Sequence, residues 1–213
     1  MVIVTAGGLQ EKIDSVRYIV NNSTGRLGFL IAQKLANKGE EVYFLHTENI
    51  ILPPNVVSVP IKNIKNLEEE MRNLLKKNAK AVIHAMAVSD YFVDGIYENG
   101  NIKTIENKID SSEEVILLAL RKNKKILPII KEINKNVILV GFKLTSNKTE
   151  EEQIKIAKLQ AHNNNCDYVL VNDTTGIYGS KHKAILICKD THYYLNTKEE
   201  IANKIEEVIR WYY

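Results

Sequence analysis

Short apolar runs alternate with amphipathic segments along this chain, and this alternation restricts the possible folds more than any other feature of the sequence. The runs have the length of buried strands, and the segments between them carry apolar residues at helical spacing. The apolar runs cover residues 2–5, 42–45, 56–59, 81–88 and 137–142. Alternating strands and helices are typical of βαβ units, in which helices cover both faces of a parallel sheet. The sequence therefore predicts an α/β fold with a mainly parallel sheet.

Apolar residues that recur every three or four positions predict the helices. These helices are 27–39, 67–75, 126–133, a helix that begins near Thr149, and a closing helix over 197–211. Thr149 and Glu152 have the spacing of a capping box, which marks the start of the fourth helix. Further strands are predicted at 167–171, 184–188 and 192–195. Residues 115–120 fit a strand or a helix, and we favour a strand because residues 122–125 interrupt the run before helical spacing resumes.

The alternation stops between residues 89 and 112, and a shorter irregular stretch precedes residue 23. Long connections in compact domains are often functional. The pair Asn99-Gly100 favours a tight hairpin within the longer stretch. We therefore expect one domain over residues 1–213, with a loop or small flap at about 92–112.

Composition excludes several classes of function. The 213 residues include 29 basic and 26 acidic residues, and so small an excess does not favour a dedicated nucleic-acid binder. Hydrophobic residues make up 45% of the chain, which is enough for a sizeable core. The first residues turn polar at once, and no apolar run approaches the ~20 residues that span a bilayer. We therefore expect a soluble, cytoplasmic protein with no membrane partner.

Neither the cysteines nor the histidines have the spacing of a metal site. Cys166 and Cys188 each lie in an apolar run, which predicts buried, reduced thiols. The five histidines are scattered, without a helical pair at i, i+4. We therefore expect no metal ligands from the protein. His84 lies in a predicted buried strand, where a hydrogen-bonded core residue is the alternative to a catalytic base.

Polar residues follow four of the predicted strands, at the point where each strand ends. The four segments are Thr5–Gly8, Ala87–Tyr91, Gly141–Lys143 and Val171–Asp173. Open α/β sheets bind ligands in the crevice outside the carboxyl ends of their strands. Glycine, serine, asparagine and aspartate are also ordinary turn residues, so turn chemistry is the alternative for any one segment. The occurrence of four such segments favours a ligand site.

Residues 21–28, Asn-Asn-Ser-Thr-Gly-Arg-Leu-Gly, introduce the first predicted helix. Ser23, Thr24 and Gly25 can present hydroxyl and backbone N–H donors at the positive end of the helix dipole, which is a common anion site. Ordinary capping of the helix by Ser23 or Thr24 is the alternative. The segment is neither the G-x-G-x-x-G fingerprint nor the phosphate loop G-x-x-x-x-G-K-[ST], which counts against an NAD-dependent dehydrogenase.

Lys108 is the candidate catalytic residue of the long connection, within residues 106–112. A lysine on a mobile loop can close over a substrate and neutralise the charge of a phosphoryl group. Lysine is abundant in this chain, so a solvated surface residue is the alternative.

These motifs, in this order, resemble the phosphopantothenoylcysteine synthetases, and the chain is similar to their stand-alone bacterial type. The resemblance rests on residues 5–8, 13–19, 21–25, 87–91, 108–109, 141–143 and 171–173. It implies a Rossmann-like three-layer fold with a flexible active-site loop. It also implies a ligase that joins 4'-phosphopantothenate to L-cysteine in coenzyme A biosynthesis. CTP or ATP would be the cosubstrate, with CTP favoured, and Mg²⁺ the metal ion; an acyl-nucleotidylate would form first, and the amine of cysteine would displace the nucleotide.

The resemblance also assigns roles to residues of this sequence. It implies that Asn21 and Lys108 are catalytic. The residues that it implies for substrate binding are Arg17, Asn21, Ser23, Gly25 and Ala87. Those that it implies for nucleotide binding are His84, Ala85, Met86, Asp90, Lys108 and Phe142. It implies a homodimer. The length leaves no room for the decarboxylase, so we expect a separate polypeptide to provide that next step.

Two positions depart from the family pattern. Gln160 and Asn164 stand where the fused bacterial class has lysines for the triphosphate. Lys155 and Lys158 lie nearby but out of register. The sequence therefore does not identify the residues that bind the triphosphate.

Two other functions also stay open at this point. A Rossmann-like NAD(P)-dependent oxidoreductase fits the order of strands and helices. It would require a third glycine after Gly7-Gly8 and an acidic residue at the end of the second strand, which instead ends at His46. A non-catalytic nucleotide-binding module is the other alternative.

Overall fold

The described part of the chain forms strands and helices in the alternation that the sequence predicts. The structure is a computed structural model, and it describes residues 1–98, 100–112, 114–178 and 181–211. The strands are β1 (Val2–Ala6), β2 (Gln10–Lys12), β3 (Tyr18–Val20), β4 (Val42–His46), β5 (Val57–Pro60), β6 (Ala81–His84), β7 (Tyr91–Glu98), β8 (Asn101–Lys103), β9 (Leu118–Lys122), β10 (Ile138–Thr145), β11 (Tyr168–Tyr178), β12 (Lys181–Cys188) and β13 (Thr191–Thr197). The helices are α1 (Arg26–Asn37), α2 (Ile64–Leu75), α3 (Ile126–Ile133), α4 (Glu150–Asn164) and α5 (Lys198–Arg210).

Eight of the described strands form the central sheet, in the order β13-β12-β11-β10-β6-β1-β4-β5. The strands from β11 to β5 in this order pair in parallel, and β12 and β13 extend one edge in antiparallel orientation. His84 of β6 pairs with Thr5 of β1 on one side and with Gly141 of β10 on the other. The carboxyl ends of the parallel strands therefore meet at one edge of the sheet, which we call the carboxyl edge.

Helices cover both faces of this sheet. Val2, Val4 and Ala6 of β1 are fully buried in the core with α1 and α5, whereas Ile3 is buried in the core with α2 and α3. Helix α4 packs on β11 and β12 and extends the layer of α3. Each fully buried aliphatic side chain contributes about 1.5–3 kcal/mol through removal from water. Two helical layers around a mainly parallel sheet confirm the predicted Rossmann-like three-layer fold.

The start of α4 agrees with the sequence pattern in its detail. The hydroxyl of Thr149 accepts the backbone N–H of Glu152, and the carboxylate of Glu152 accepts the N–H of Thr149. This capping box satisfies two N–H groups that the helix itself leaves without partners. The prediction from Thr149 and Glu152 is confirmed.

Helix α1 approaches β1 closely because residue 28 is glycine. A Cβ atom at Gly28 would lie 2.7 Å from the Cβ of Ala6 and 3.1 Å from the carbonyl oxygen of Thr5. Gly25, the N-cap of α1, has a φ of 67°, in the left-handed region that favours glycine. These two glycines place the amino terminus of α1 against the end of β1.

Two small sheets lie beside the central one. Strands β2 and β3 form a hairpin within the stretch whose pattern predicts no strand, and β8-β7-β9 form an antiparallel sheet. The hairpin predicted near Asn99-Gly100 connects β7 to β8, and Asn99 lies outside the described residues. The strand predicted at 115–120 is β9, which begins and ends slightly later.

The strand predicted over 81–88 is shorter in the structure, because β6 ends at His84. The apolar run continues beyond this point, and Met86 is 5% exposed. Ala87 pairs with Gly8 only through an isolated parallel bridge. The run is fully buried over β6, whereas Ala85, Ala87 and Val88 are only partly buried and the last four residues leave the regular hydrogen-bond ladder.

The described residues contain no disulfide, no cluster of metal ligands and no membrane-spanning helix. Cys166 and Cys188 are free and partly buried, and burial, with the charge of Asp167, raises the pKa of Cys166 to about 12. No group of three or more His, Cys, Asp or Glu side chains in this part of the chain could hold a metal ion. None of its helices is both long enough and apolar enough to cross a membrane.

Candidate active site

The order of the parallel strands reverses between β1 and β6. From β1 the chain continues outward to β4 and β5, whereas from β6 it continues in the opposite direction to β10 and β11. In open α/β sheets the connections diverge at such a switch point and leave a crevice that binds ligands. The predicted strand exits Thr5–Gly8 and Ala87–Tyr91 both begin at this point.

Backbone hydrogen bonds connect these two exits. The N–H of Ala87 donates to the carbonyl oxygen of Gly7 over 2.8 Å, and the N–H of Leu9 donates to the carbonyl oxygen of Ala87 over 2.9 Å. Gly7 has a φ of 97°, and a side chain there would collide with Thr47 and Ile50. The base of the switch point is therefore close-packed backbone that depends on glycine.

His84 lies at the end of β6 and bonds to Thr5 across the switch point. The Oγ1 of Thr5 accepts the N–H of Met86 over 3.0 Å and lies 2.9 Å from Nδ1 of His84. We assign the Thr5 hydroxyl as donor to Nδ1, which places the ring proton on Nε2. Burial lowers the pKa of His84 to about 4, so the ring is neutral at neutral pH.

The amino terminus of α1 is capped by Gly25 rather than by a side chain. Gly25 has no side chain to supply a capping bond, and the first turn of the helix has no acidic residue. Neither Ser23 nor Thr24 is the N-cap residue, although Oγ1 of Thr24 accepts a long bond of 3.4 Å from the N–H of Arg26, the first residue of the helix. The first N–H groups of α1 and the positive end of its dipole can bind an anion.

Asn21 directly follows β3 and passes over the exit of β1. It is exposed, and a Cβ atom at Gly8 would collide with its carbonyl oxygen. Gly8 therefore permits the close approach of the segment that leads through Ser23 and Gly25 into α1. The structure brings Asn21 and Gly25 together with Ala87 around Gly7 and Gly8 at the switch point, and Ser23 lies between them in the chain.

Arg17 lies in the turn of the β2–β3 hairpin and contacts the loop that carries Lys108. Its Nε pairs with Asp14 over 2.9 Å, and its Nη2 donates to the carbonyl oxygen of Ile109 over 2.6 Å. Lys108 itself is exposed. The structure therefore brings Arg17 together with the backbone next to Lys108, although 91 positions separate the two residues in sequence.

Apart from Lys108, the predicted nucleotide-binding residues lie at the exit of β6 and within β10. The prediction of a strand exit at Gly141–Lys143 is wrong, because β10 continues to Thr145. Ala85 and Met86 follow β6, and Phe142 in β10 is half-buried against the core of α1 and α5. Asp90 is exposed and forms an ion pair with Lys125, just before α3. The carboxylate of Asp90 thus has a protein cation beside it in this structure.

Gln160 and Asn164 both bond to backbone carbonyl groups. Nε2 of Gln160 donates to the carbonyl oxygen of Phe142 over 3.2 Å, and Nδ2 of Asn164 donates to that of Gln160 over 2.8 Å. They lie in the half of α4 that runs away from the carboxyl edge, and Lys155 and Lys158 are exposed on the same helix. The two departures from the family pattern therefore make local structural contacts here.

Two buried carboxylates near the carboxyl edge were not predicted as individual residues. Asp14 is 1% exposed and Asp173 is 4% exposed. Hydrogen bonds from the hydroxyls of Thr145 and Thr175, and from backbone N–H groups, hold the pKa of Asp173 well below its usual range. The segment Val171–Asp173 is not a strand exit, because β11 continues to Tyr178 with an irregularity after Asn172.

Strand order, glycine-dependent exits and a helix terminus with a glycine N-cap together define a Rossmann-like α/β protein whose candidate site lies at the switch point. The sequence matches the family described as "DNA/pantothenate metabolism flavoprotein C-terminal domain" over residues 1–212. The chain therefore belongs to this family.

Individual relatives agree with this assignment. The chain is 31% identical over 216 residues to the "Coenzyme A biosynthesis bifunctional protein CoaBC" of Thermococcus kodakarensis, covering 98% of this chain and 50% of that protein. A crystal structure of the DNA/pantothenate metabolism flavoprotein from Streptococcus pneumoniae has a TM-score of 0.93 and 36% identity, covering 100% of this chain and 99% of the other. A Cab2 mutant in complex with phosphopantothenate-cysteine has a TM-score of 0.77 at 16% identity, over 99% of this chain and 87% of its own, which shows the fold alone.

The chain spans about half the length of the curated relatives that it matches. Those relatives are bifunctional proteins of coenzyme A biosynthesis. The similarity therefore concerns one part of each relative.

Proposed function

We propose that this chain is a phosphopantothenate–cysteine ligase, which joins 4'-phosphopantothenate to L-cysteine in coenzyme A biosynthesis. The observation that carries the proposal is the arrangement around the β2–β3 hairpin. Asn21 directly follows this hairpin, and Arg17 in its turn bonds to Ile109, the residue next to Lys108. The two candidate catalytic residues are thus linked through one small element beside the switch point. The full-length family match and the relatives named for coenzyme A biosynthesis support the same activity.

The reaction explains why positioning and charge should dominate the site. A free carboxylate is a poor electrophile, so its oxygen first attacks the α-phosphorus of a nucleoside triphosphate. The bond from this phosphorus to pyrophosphate breaks, and an acyl-nucleotidylate forms. The amine nitrogen of cysteine then attacks the acyl carbon, loses a proton and expels the nucleoside monophosphate. Both steps develop negative charge on phosphoryl oxygens, which fixed donors and cations stabilise.

The proposed substrate side is built from the hairpin, the amino terminus of α1 and the exit of β6. The amide of Asn21 would hydrogen-bond the acyl group, and the N–H groups after Gly25 would bind a phosphoryl group. Arg17 would supply a cation for substrate phosphate, with Ser23 and Ala87 beside it. These roles combine hydrogen-bond donors with positive potential, as an anionic substrate requires.

The proposed nucleotide side comprises the exit of β6 and the neighbouring strand β10. Neutral His84 would donate from Nε2, Met86 and Phe142 would supply apolar contact, and Ala85 allows close approach of the backbone. Asp90 forms an ion pair with Lys125 in this structure, and it would bind the nucleotide once that ion pair is broken. Lys108 would neutralise charge on the phosphoryl group that undergoes transfer.

CTP is the proposed cosubstrate, with ATP as the competing choice in the test below. Mg²⁺ usually keeps several waters and binds through phosphates with one or two carboxylates. Asp90, an exposed carboxylate after the exit of β6, could serve as such a ligand. Mg²⁺ would reduce the charge of the triphosphate; the protein residues orient the acid and the nucleotide.

We propose that the protein is a homodimer and that a separate polypeptide provides the decarboxylase. The small sheets expose several large apolar side chains, which is typical of an interaction surface. These side chains are Val16, Tyr18, Val20, Tyr91, Tyr97, Ile102 and Leu120. We propose a second copy of this chain as the partner of this surface.

Pyrophosphate release tests the ligase activity. The purified chain is incubated with 4'-phosphopantothenate, cysteine, Mg²⁺ and either CTP or ATP. We expect release with one or both nucleotides only when phosphopantothenate is present, and formation of phosphopantothenoylcysteine when cysteine is added. No release with either nucleotide would refute the proposal.

The structure gives no support to the NAD(P)-dependent oxidoreductase. That function needs an acidic residue at the end of β4 to bind ribose hydroxyls. His46 occupies this position, and its ring nitrogens lie 2.9 Å from the carbonyl oxygen of Thr47 and 2.9 Å from Oγ of Ser58. Both ring nitrogens of His46 therefore already have hydrogen-bond partners within the protein.

A further inference from the structure

The carboxylate of Asp14 divides its contacts between two segments that are distant in sequence. Oδ1 accepts the backbone N–H groups of Val16, over 2.9 Å, and Arg17, over 2.8 Å, and so closes the hairpin turn. Oδ2 accepts the N–H of Ile109 over 3.1 Å and pairs with Nε of Arg17 over 2.9 Å. One oxygen therefore builds the turn, and the other contacts the loop that carries Lys108.

Ile109 is held at both of its backbone polar groups. Its N–H donates to Asp14 over 3.1 Å, and its carbonyl oxygen accepts from Nη2 of Arg17 over 2.6 Å. Asp14 also orients this guanidinium through its contact with Nε. The backbone of Ile109 is thus fixed to the hairpin, and Lys108 is the residue directly before it.

Closing the β2–β3 turn does not by itself require a charged side chain at Asp14. The side chain of Asp14 is buried, and a buried carboxylate is costly unless it is paired and hydrogen-bonded. Although burial opposes ionisation, N–H donors from Val16, Ile109 and Arg17 and the charge of Arg17 lower the pKa of Asp14 to about 2. Serine or asparagine would close the same turn without a charge. The contact of Oδ2 with the N–H of Ile109 explains why a carboxylate, with its second oxygen, stands here.

We propose that Asp14 is a positioning residue, which holds the loop at Ile109 against the β2–β3 hairpin and so fixes Lys108 relative to Asn21. The inference rests on the proposed function of Lys108. Asn21 follows β3 directly, so a loop anchored on this hairpin keeps both candidate catalytic residues on one support. Asp14 acts through Ile109 and Arg17 and contacts no reacting atom.

Two variants separate the contact with the loop from the turn. Asp14→Asn has the same shape and keeps one oxygen for Val16 and Arg17, but its NH₂ group faces the N–H of Ile109. Asp14→Ser can still close the turn through its hydroxyl and is too short to reach the loop. The matched control is Asp110→Asn, because Asp110 is an exposed carboxylate of the same loop that accepts the N–H of Ser112 over 2.8 Å.

Two measurements test the proposal. Hydrogen exchange of the Ile109 amide reports the contact without reference to activity, and we expect it to be roughly tenfold faster in both Asp14 variants. Single-turnover formation of the acyl-nucleotide reports function, and we expect a loss of roughly tenfold or more. In the Lys108→Gln background, Asp14→Asn should cause no further loss, because residues that act through one contact are not additive. Asp110→Asn should change neither quantity.

Unchanged exchange at Ile109 in both Asp14 variants would overturn the proposal. So would a rate loss that multiplies with that of Lys108→Gln, since a general structural defect would act independently of Lys108. Wild-type protein without pyrophosphate release would instead refute the proposed function, and the exchange measurement would then decide by itself whether Asp14 holds the loop.

Discussion

The side chains of Thr5 and His84 are 2.9 Å apart between the neighbouring strands β1 and β6 at the switch point. Because Thr5 also accepts the N–H of Met86, over 3.0 Å, one hydroxyl connects both strands and the segment after β6. This arrangement makes His84 a hydrogen-bonded core residue, which was one of the two interpretations of its sequence position. Its proposed role as a donor to nucleotide uses the other ring nitrogen.

His84 should make the stability of the protein depend on pH. Its pKa is about 4 in the folded state and lies near 6.5 when unfolded, so the unfolded chain takes up the proton first as pH falls. The stabilisation is complete above the unfolded pKa and is lost as pH falls towards the folded one. We expect a loss of about 2 kcal/mol between pH 7 and pH 5, measured by urea unfolding.

His84→Gln should remove this loss, since glutamine does not titrate. His162→Gln is the matched control, because His162 is exposed on α4 and the variant should keep the wild-type dependence. Parallel stability profiles for wild type and His84→Gln across pH 5–7 would contradict the assignment of a neutral, buried imidazole.

Lys108→Gln should slow the first half-reaction. Glutamine keeps the approximate length of the side chain but cannot neutralise charge on the transferred phosphoryl group. Removal of one such electrostatic contact typically lowers turnover by about 100-fold. Rapid-quench measurement of acyl-nucleotide formation checks this, with Lys76→Gln as control, since Lys76 is exposed at the end of α2 near the opposite edge of the sheet. A rate within twofold of wild type would show that Lys108 is only a surface residue.

Asn21→Asp should impair formation of the acyl-nucleotide or its conversion by cysteine. The substitution replaces an NH₂ donor with a carboxylate, which repels an anionic substrate and cannot donate. Asn22→Asp makes the same chemical change at the next exposed position and should retain most of the activity. The two half-reactions are measured separately, and both variants should keep the wild-type Tm. Equal losses in the two variants would indicate general electrostatic repulsion instead of a role for Asn21.

Gly28→Ala should destabilise the fold although alanine favours helix. Helix propensity gains about 1 kcal/mol, but a methyl group at this position would press on Ala6 and Thr5 of β1. Overpacking of this kind costs about 1–3 kcal/mol, so we expect a net loss of about 1 kcal/mol by urea unfolding. Increased stability would show that α1 can move away from β1 without cost.

The sequence was most informative where local pattern and burial agree. The runs in β1, β4 and β10 are buried on both faces, and continuous apolar residues identify such strands. The capping box at Thr149 depends on residues three apart, so a short window contains all of its chemistry. The spacing of apolar residues and the capping residues were therefore enough to predict where the strands of the central sheet and its helices lie.

Other features depend on contacts that no local window contains. Strands β2 and β3 have three residues each, with exposed ends and only a half-buried centre; β2 is polar, and the apolar run of β3 is too short to indicate a strand by itself. The bond between Asp14 and Ile109 joins positions 95 residues apart. β6 ends at His84 because the following residues bond to Gly7 and Leu9, outside the regular ladder. Motif resemblance indicated the region of the site, whereas tertiary contacts determine which side chains meet.

The exposed apolar side chains of the small sheets should mediate a homodimer. Leu120 in β9 is 51% exposed, and Leu159 in α4 is 59% exposed, so the two leucines are matched in exposure but lie on different elements. Leu120→Lys would place a charge in the proposed interface, which costs several kcal/mol when it is buried without a partner. Light scattering should therefore show a dimer for wild type and Leu159→Lys, and a monomer for Leu120→Lys at the same concentration.

Because the hairpin that supports Arg17 and Asn21 carries part of the same apolar surface, the monomeric variant should also lose ligase activity. A wild-type monomer with full activity would contradict both the interface and its contribution to the site.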